Sequence, residues 1–216
     1  MAGTGVPRKT GPVPVVEAVI TVPVPPAVAF AVSQTVAPVR YRWDPFVREQ
    51  YFTGGATAPG RGVRTFTRSR HGFTMTSEYV SYAPPSHVGM KMVEGPWFFA
   101  VFAGGWRFAP TGDGQTVATW RYNFQCRPRA MRPLAHLLGR WLLGRDIRRR
   151  IAGYAAGCAD PVVLAAARAV AERDEARGSR PAAGPDGVPG AQPAPAERAA
   201  GTGAVAGHDG SGDAEQ

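Results

Sequence analysis

The sequence predicts an α+β fold: a curved antiparallel sheet of six to seven strands around a long C-terminal helix. Three observations predict it. Runs with period-two alternation, separated by turn-forming residues, fill residues 13–126. After Pro133 the apolar period becomes helical. The strands come as one block before the helix, which is the order of a sheet packed on a helix and not of alternating βα units. One helix cannot cover so many flat strands, so the sheet must curve around it. Such a curve can leave a cavity between the layers.

Each element follows from its residues. Residues 15–22 (VVEAVITV) are rich in β-branched side chains and read as the first strand. Residues 25–32 read as a short helix with proline in its first turn. Trp43-Asp44-Pro45-Phe46 begins a second short turn or helix. Strands follow at 47–52, 63–70, 73–83, 87–93, 97–109 and 116–126. Their separators are turn chemistry, and Thr111-Gly112-Asp113-Gly114, between two aromatic alternating runs, is a hairpin signal. Alternation puts Phe98, Phe102, Trp106 and Phe108 on one face of their strand, and Trp120, Tyr122 and Phe124 on one face of the next. In the long helix, Leu134, Leu137, Leu138 and Trp141 form one stripe. Ile147, Ile151, Tyr154 and Cys158 form a second, rotated well over a quarter turn. The helix is therefore covered on two sides or bends near Gly144. Asp160-Pro161 reads as an N-cap and first helical residue, opening another helix to about Arg177.

Composition bounds the rest. Residues 1–12 read as a flexible leader, 13–177 as a single domain and 178–216 as a disordered tail. The tail is rich in Ala, Gly and Pro and has no aromatic residue, so it cannot bury enough apolar surface to offset its ordering entropy. Two cysteines in 216 residues exclude a disulfide-stapled secreted scaffold. No apolar run reaches the length of a membrane span, and no signal pattern opens the chain, so a soluble cytoplasmic protein is expected. The four histidines and two cysteines show no metal-ligand spacing, and no phosphate-binding glycine motif occurs, so neither metal nor cofactor is expected. The formal charge of +9 comes from 25 basic residues, only two of them lysine (Lys9 and Lys91).

Several stretches carry a resemblance. Val19 to Phe30 (VITVPVPPAVAF) looks like a first strand running into a helix through an apolar–Pro–x–x–x–aromatic pattern. Arg42-Trp43-Asp44-Pro45-Phe46-Val47 looks like a Trp-x-Pro turn. Val93-Glu94-Gly95-Pro96 precedes the long hairpin, Gly112-Asp113-Gly114-Gln115-Thr116 matches its turn, and Pro133-Leu134 opens the final helix. In this order they resemble the START/birch-pollen-allergen superfamily (SRPBCC), in its polyketide cyclase/dehydrase and lipid-transport branch, over about residues 13–158. The resemblance implies a helix-grip fold with an internal pocket for a hydrophobic or aromatic small molecule or lipid. The inward faces of the strands then line it with Met75, Ser77, Tyr79, Met90, Met92, Phe98, Phe102, Trp106, Trp120, Tyr122 and Phe124. Leu134, Leu138 and Trp141 close it from the helix.

Some relatives of this superfamily catalyse aromatic ring closure with an inward arginine on the strand numbered 73–83 here. At the matching position this chain has Tyr79. The other polar candidates are Ser77 and, more loosely, Tyr51. A phenol with a pKa of ~10 is a poor base at neutral pH. A non-catalytic binder is therefore the preferred reading, with a cyclase/dehydrase using Tyr51, Ser77 and Tyr79 as the alternative. A third reading comes from charge. Between 127 and 150 stand eight arginines and one acid, Asp146. Of these, Arg145, Arg148, Arg149 and Arg150 are candidates to touch an anionic membrane surface. Nucleic acid is disfavoured, because the aromatics alternate as strand core instead of standing as stacking platforms. The sequence leaves the oligomeric state open.

Overall fold

The computed structural model describes residues 13–178. The expected leader, and the expected tail from residue 179 onward, lie outside the described residues. The elements run β1 (Val15–Val22), α1 (Pro26–Ser33), α2 (Arg40–Trp43), β2 (Val47–Phe52), β3 (Arg64–Ser69), β4 (Thr74–Ala83), β5 (His87–Glu94), β6 (Phe99–Pro110), β7 (Thr116–Cys126), α3 (Arg132–Gly157) and α4 (Pro161–Gly178). The seven strands form one antiparallel sheet in the order β1-β7-β6-β5-β4-β3-β2. Every neighbour from β2 to β7 is a sequential hairpin. The one long-range pairing sets β1 beside β7, from Val15 opposite Asn123 to Val22 opposite Thr116. This is the predicted α+β architecture, with the two short helices placed after β1.

The sheet bends where its ladders slip. Register shifts fall between Phe99 and Val101 of β6, between Tyr79 and Ser81 of β4, between Met92 and Glu94 of β5 and between Val47 and Glu49 of β2. An extra residue on one strand increases local twist and bends that strand. The concave face holds the core: Trp106, Phe108, Trp120, Tyr122 and Phe124 are all buried. The convex face carries charges such as Arg121, paired with Glu17 across the β1/β7 ladder at 2.6 Å. Gly114 in the β6–β7 turn has φ of 78°, a left-handed conformation that favours glycine.

α3 runs unbroken from Arg132 to Gly157, with no break at Gly144. It packs on β1 and β7. Its buried residues are Gly144, Ile147, Ile151, Tyr154 and Gly157. The other stripe faces out: Leu134, Leu137, Leu138 and Trp141 are 66, 69, 54 and 59% exposed. The expectation that Leu134, Leu138 and Trp141 close the cavity is therefore corrected. The reason lies in backbone approach. In this half of α3 Gly139 faces the sheet with Ala135 and Leu143, and a Cβ on it would fall 2.6 Å from the Phe124 ring. A small residue lets the helix sit on that ring, and Leu134, Leu137, Leu138 and Trp141 are left on the far side.

α4 packs on α1 and buries Val163, Ala167 and Val170, at i, i+4 and i+7. Asp160 is its N-cap, as the Asp-Pro pair predicts: Oδ1 accepts from the Val162 amide at 2.8 Å and the Val163 amide at 3.3 Å.

Candidate functional site

A cavity of about 110 Å³ lies between the concave sheet and the helices. Its sheet wall comes from alternate residues of adjacent strands: Thr65 and Thr67 of β3, Met75, Ser77 and Tyr79 of β4, Val88, Met90 and Met92 of β5, Phe102 and Trp106 of β6, and Trp120 and Tyr122 of β7. The helix wall is different in chemistry. Ser33, Gln34 and Thr35 come from the end of α1, Arg40 from α2 and Arg150 from α3. An apolar, methionine-rich surface thus faces a polar, cationic one.

A buried charged knot fixes the helix wall. Asp44 is fully buried at the end of α2. Arg150 donates to it twice, Nε to Oδ1 at 3.0 Å and Nη2 to Oδ2 at 2.8 Å, and Arg40 Nε donates to Oδ2 at 3.0 Å. Arg150 Nη1 also donates to the Tyr122 hydroxyl at 2.7 Å, and Arg40 Nη1 to the Ser33 carbonyl at 2.7 Å. The guanidinium of Arg150 lies 4.4 Å from the Trp120 ring centre and 4.6 Å from that of Phe46. Burial pushes the Asp44 carboxyl up, but Arg150 and Arg40 outweigh it and hold the group below its ordinary range. Burial opposes charge on Arg150 too, yet Asp44 keeps its pKa raised. At Arg40 burial wins over Asp44 and lowers the value. Asp146 approaches Arg150 at 3.9 Å. Two clamped cations therefore share one fully buried carboxylate beside the cavity.

One buried polar atom is left over. Gln34 Nε2 donates to Ser33 Oγ at 2.7 Å, and that hydroxyl donates to the Phe30 carbonyl at 2.6 Å. Gln34 Oε1 is buried and accepts from no partner among the described residues. Buried acceptors are nearly always satisfied, so this one asks for a donor.

The cavity brings together Met75, Ser77, Tyr79, Met90, Met92, Phe102, Trp106, Trp120 and Tyr122 of the expected lining. Phe98, Phe124, Leu134, Leu138 and Trp141 are absent from it. Phe98 fails because of the β6 bulge. One extra residue inverts the alternation, so Phe99 joins Phe102 and Phe124, at 4.9 and 6.3 Å between ring centres. Phe98 contacts Phe73 and Trp97 instead. Phe124 is on the inward face but lies beneath Gly139 of α3. Tyr51 sits on the other face of β2 from Gln50 and Phe52, 49% exposed and stacked on Phe66 at 5.0 Å. Arg150, expected on an anionic surface, is turned inward by Asp44, with its side chain only 11% exposed. Arg145, Arg148 and Arg149 are exposed.

Tyr79 is buried, and burial pushes its phenol up to about 12, with Arg40 pulling weakly the other way. Burial likewise raises Tyr122. Among the described residues that line the cavity there is no His, Asp or Glu.

Gln34 and Arg40 escaped the reading of the sequence. The signals were present: a polar triplet Ser33-Gln34-Thr35 directly after an apolar helix, and Arg40 four residues before Asp44, the spacing of a helical ion pair.

The comparisons agree with this geometry. No curated protein matches the sequence. Among solved structures, a START superfamily protein from Mycobacterium smegmatis is 10% identical with a TM-score of 0.54, over 66% of this chain and 94% of that one. A protein from Thermus thermophilus is 15% identical with a TM-score of 0.54, over 72% and 98% of the two chains. The Zhui aromatase/cyclase from Streptomyces sp. R1128 is 18% identical with a TM-score of 0.51, over 80% and 98%. These likenesses show the fold. The profile of the family described as polyketide cyclase / dehydrase and lipid transport matches residues 14–158. That stretch spans β1 to the end of α3 and includes every residue of the cavity wall, so the chain belongs to the polyketide cyclase/dehydrase and lipid transport family of the SRPBCC superfamily.

Proposed function

We propose that this protein binds a compact amphipathic small molecule without transforming it. The apolar or aromatic body of the ligand lies against Met75, Met90, Met92 and Phe102, and its polar head faces Gln34 and Arg40. The observation that carries this reading is the buried, unpartnered Gln34 Oε1 in a cavity whose other wall is apolar. A ligand hydroxyl satisfies the acceptor, and the arginine side favours an oxygen-rich or anionic head.

Size limits the ligand. A cavity of about 110 Å³ holds on the order of eight water-sized groups. That is small beside the roughly 300–1,000 Å³ of sites for drug-sized ligands. The chemistry favours binding over ring closure. Proton abstraction needs a base poised near neutral pH. The cavity lining offers Tyr79 at about 12 and neither carboxylate nor imidazole among the described residues.

The test compares phenol with benzene, six or seven heavy atoms that fit the space, on the full chain, by titration of intrinsic fluorescence. The hydroxylated ring is expected to bind about tenfold tighter, the worth of one buried hydrogen bond of ~1.4 kcal/mol. Gln34→Leu should erase that preference and keep binding of the bare ring. Equal affinity for both ligands, or a preference that survives Gln34→Leu, would refute the role given to Gln34.

A further inference from the structure

We infer that the outward face of the first half of α3 docks on an anionic lipid surface. The inference is independent of what occupies the cavity. Leu134, Leu137, Leu138, Trp141 and Leu142 are all half or more exposed, and their spacing puts them on one side of the helix. The apolar stretch from 134 to 142 is about 12 Å long at the helical rise. One turn further, the same side continues as Arg145, Arg148 and Arg149, all exposed. A single helix face therefore reads apolar, then cationic.

A second exposed aromatic stands in the loop that is hydrogen-bonded to the segment before α3. Trp97 is 77% exposed, and the next residue, Phe98, accepts a hydrogen bond at 2.8 Å through its carbonyl from the amide of Arg127, just before α3.

Charge decides which partner fits. Asp146 is the one acid between 127 and 150, and it is directed toward Arg150. Arg145, Arg148 and Arg149 make no ion pair among the described residues. A second copy of this chain would bring the same uncompensated cations, so like charges would oppose the contact. An anionic bilayer supplies both complements at once. Its phosphates meet the arginines, and its headgroup–acyl boundary takes leucine and tryptophan side chains.

The experiment is co-sedimentation of the full chain with vesicles of phosphatidylcholine mixed with phosphatidylglycerol, against vesicles of phosphatidylcholine alone. Binding is expected only to the mixed vesicles, falling as salt is raised. Each basic residue near such a surface contributes about fivefold, so replacing Arg145, Arg148 and Arg149 together with alanine should weaken binding on the order of 100-fold. The triple lysine variant should retain most of it, since the contact is one of charge. Leu137→Glu should abolish it through the apolar part. If Leu137→Glu does not fold, the alanine and lysine triples carry the test, because all three arginines are exposed. No binding to mixed vesicles at low salt, or equal binding by the alanine triple and the parent, overturns the inference. So does concentration-dependent dimerisation that Leu137→Glu abolishes in a chain that binds no vesicle.

Discussion

In the second half of α3, Ile147, Ile151 and Tyr154 are buried, and the Tyr154 hydroxyl donates to the Ala29 carbonyl at 2.8 Å. In the first half, Leu134, Leu137, Leu138 and Trp141 stand more than half exposed. The difference does not follow hydrophobicity. The buried half carries Arg150, Gly153 and Gly157 among its packed residues, and the exposed half is richer in leucine. Both halves approach a neighbour closely, the first at Gly139 over the Phe124 ring; what separates them is that the second half is also covered by Trp43 of α2. At Gly153 a Cβ would collide with the Trp43 carbonyl oxygen, and at Gly157 it would stand 2.8 Å from the Trp43 Cβ. The second half is clamped to α2 at contact distance, and Asp44 locks it there through Arg150.

The contrast can be broken at several points. Asp44→Asn should be the most damaging change, leaving two buried guanidiniums without their carboxylate at a cost of about 3–5 kcal/mol by urea unfolding. The same group sets an acid limit. Its folded pKa is depressed, so its stabilisation is complete above the unfolded value of ~3.9 and is lost as pH falls through the folded one. Unfolding midpoints of the parent should therefore drop in that acid range, and the Asp44→Asn variant should lack this component. Next comes Ile151→Ala, at about 2–5 kcal/mol for a buried aliphatic residue. Its counterpart Leu137→Ala, on the exposed half, should stay within about 0.5 kcal/mol. Equal costs for the two would dissolve the contrast. The most discriminating change is Gly153→Ala. In an exposed helix it should stabilise by about 1 kcal/mol. Against Trp43 it should instead destabilise by about 1–3 kcal/mol, since the collision is with backbone.

Much of the fold was legible because period two is hard to counterfeit. β1, β2 and β7 begin and end where alternation and turn residues place them, and β3 to β6 differ by one or two residues at their ends. The alternation also put nine of the cavity residues on the correct face. It failed at Phe98, because a bulge is one uncounted residue and carries no residue signature of its own. In α3, periodicity found both stripes, but a period cannot say which stripe meets a neighbour. That depends on Gly139, Gly153 and Gly157, whose meaning appears only when Phe124 and Trp43 stand opposite them. Asp44 lay inside a stretch singled out for its proline turn, while its partner Arg150, more than a hundred residues away in sequence, lay in an arginine run read as facing an anionic surface. A run of like charges does not reveal that one member turns inward.

Trp106 and Trp120 face each other across the β6/β7 ladder, with ring centres 4.2 Å apart and planes 24° from parallel. Both border the cavity. Two indoles so close share their electronic excitation, so their ultraviolet transitions split into a paired circular dichroism band of opposite signs. A molecule entering beside them would change the angle or polarity of that pair. The pair thus serves as an optical gauge of any change in the cavity beside it, readable without a dye.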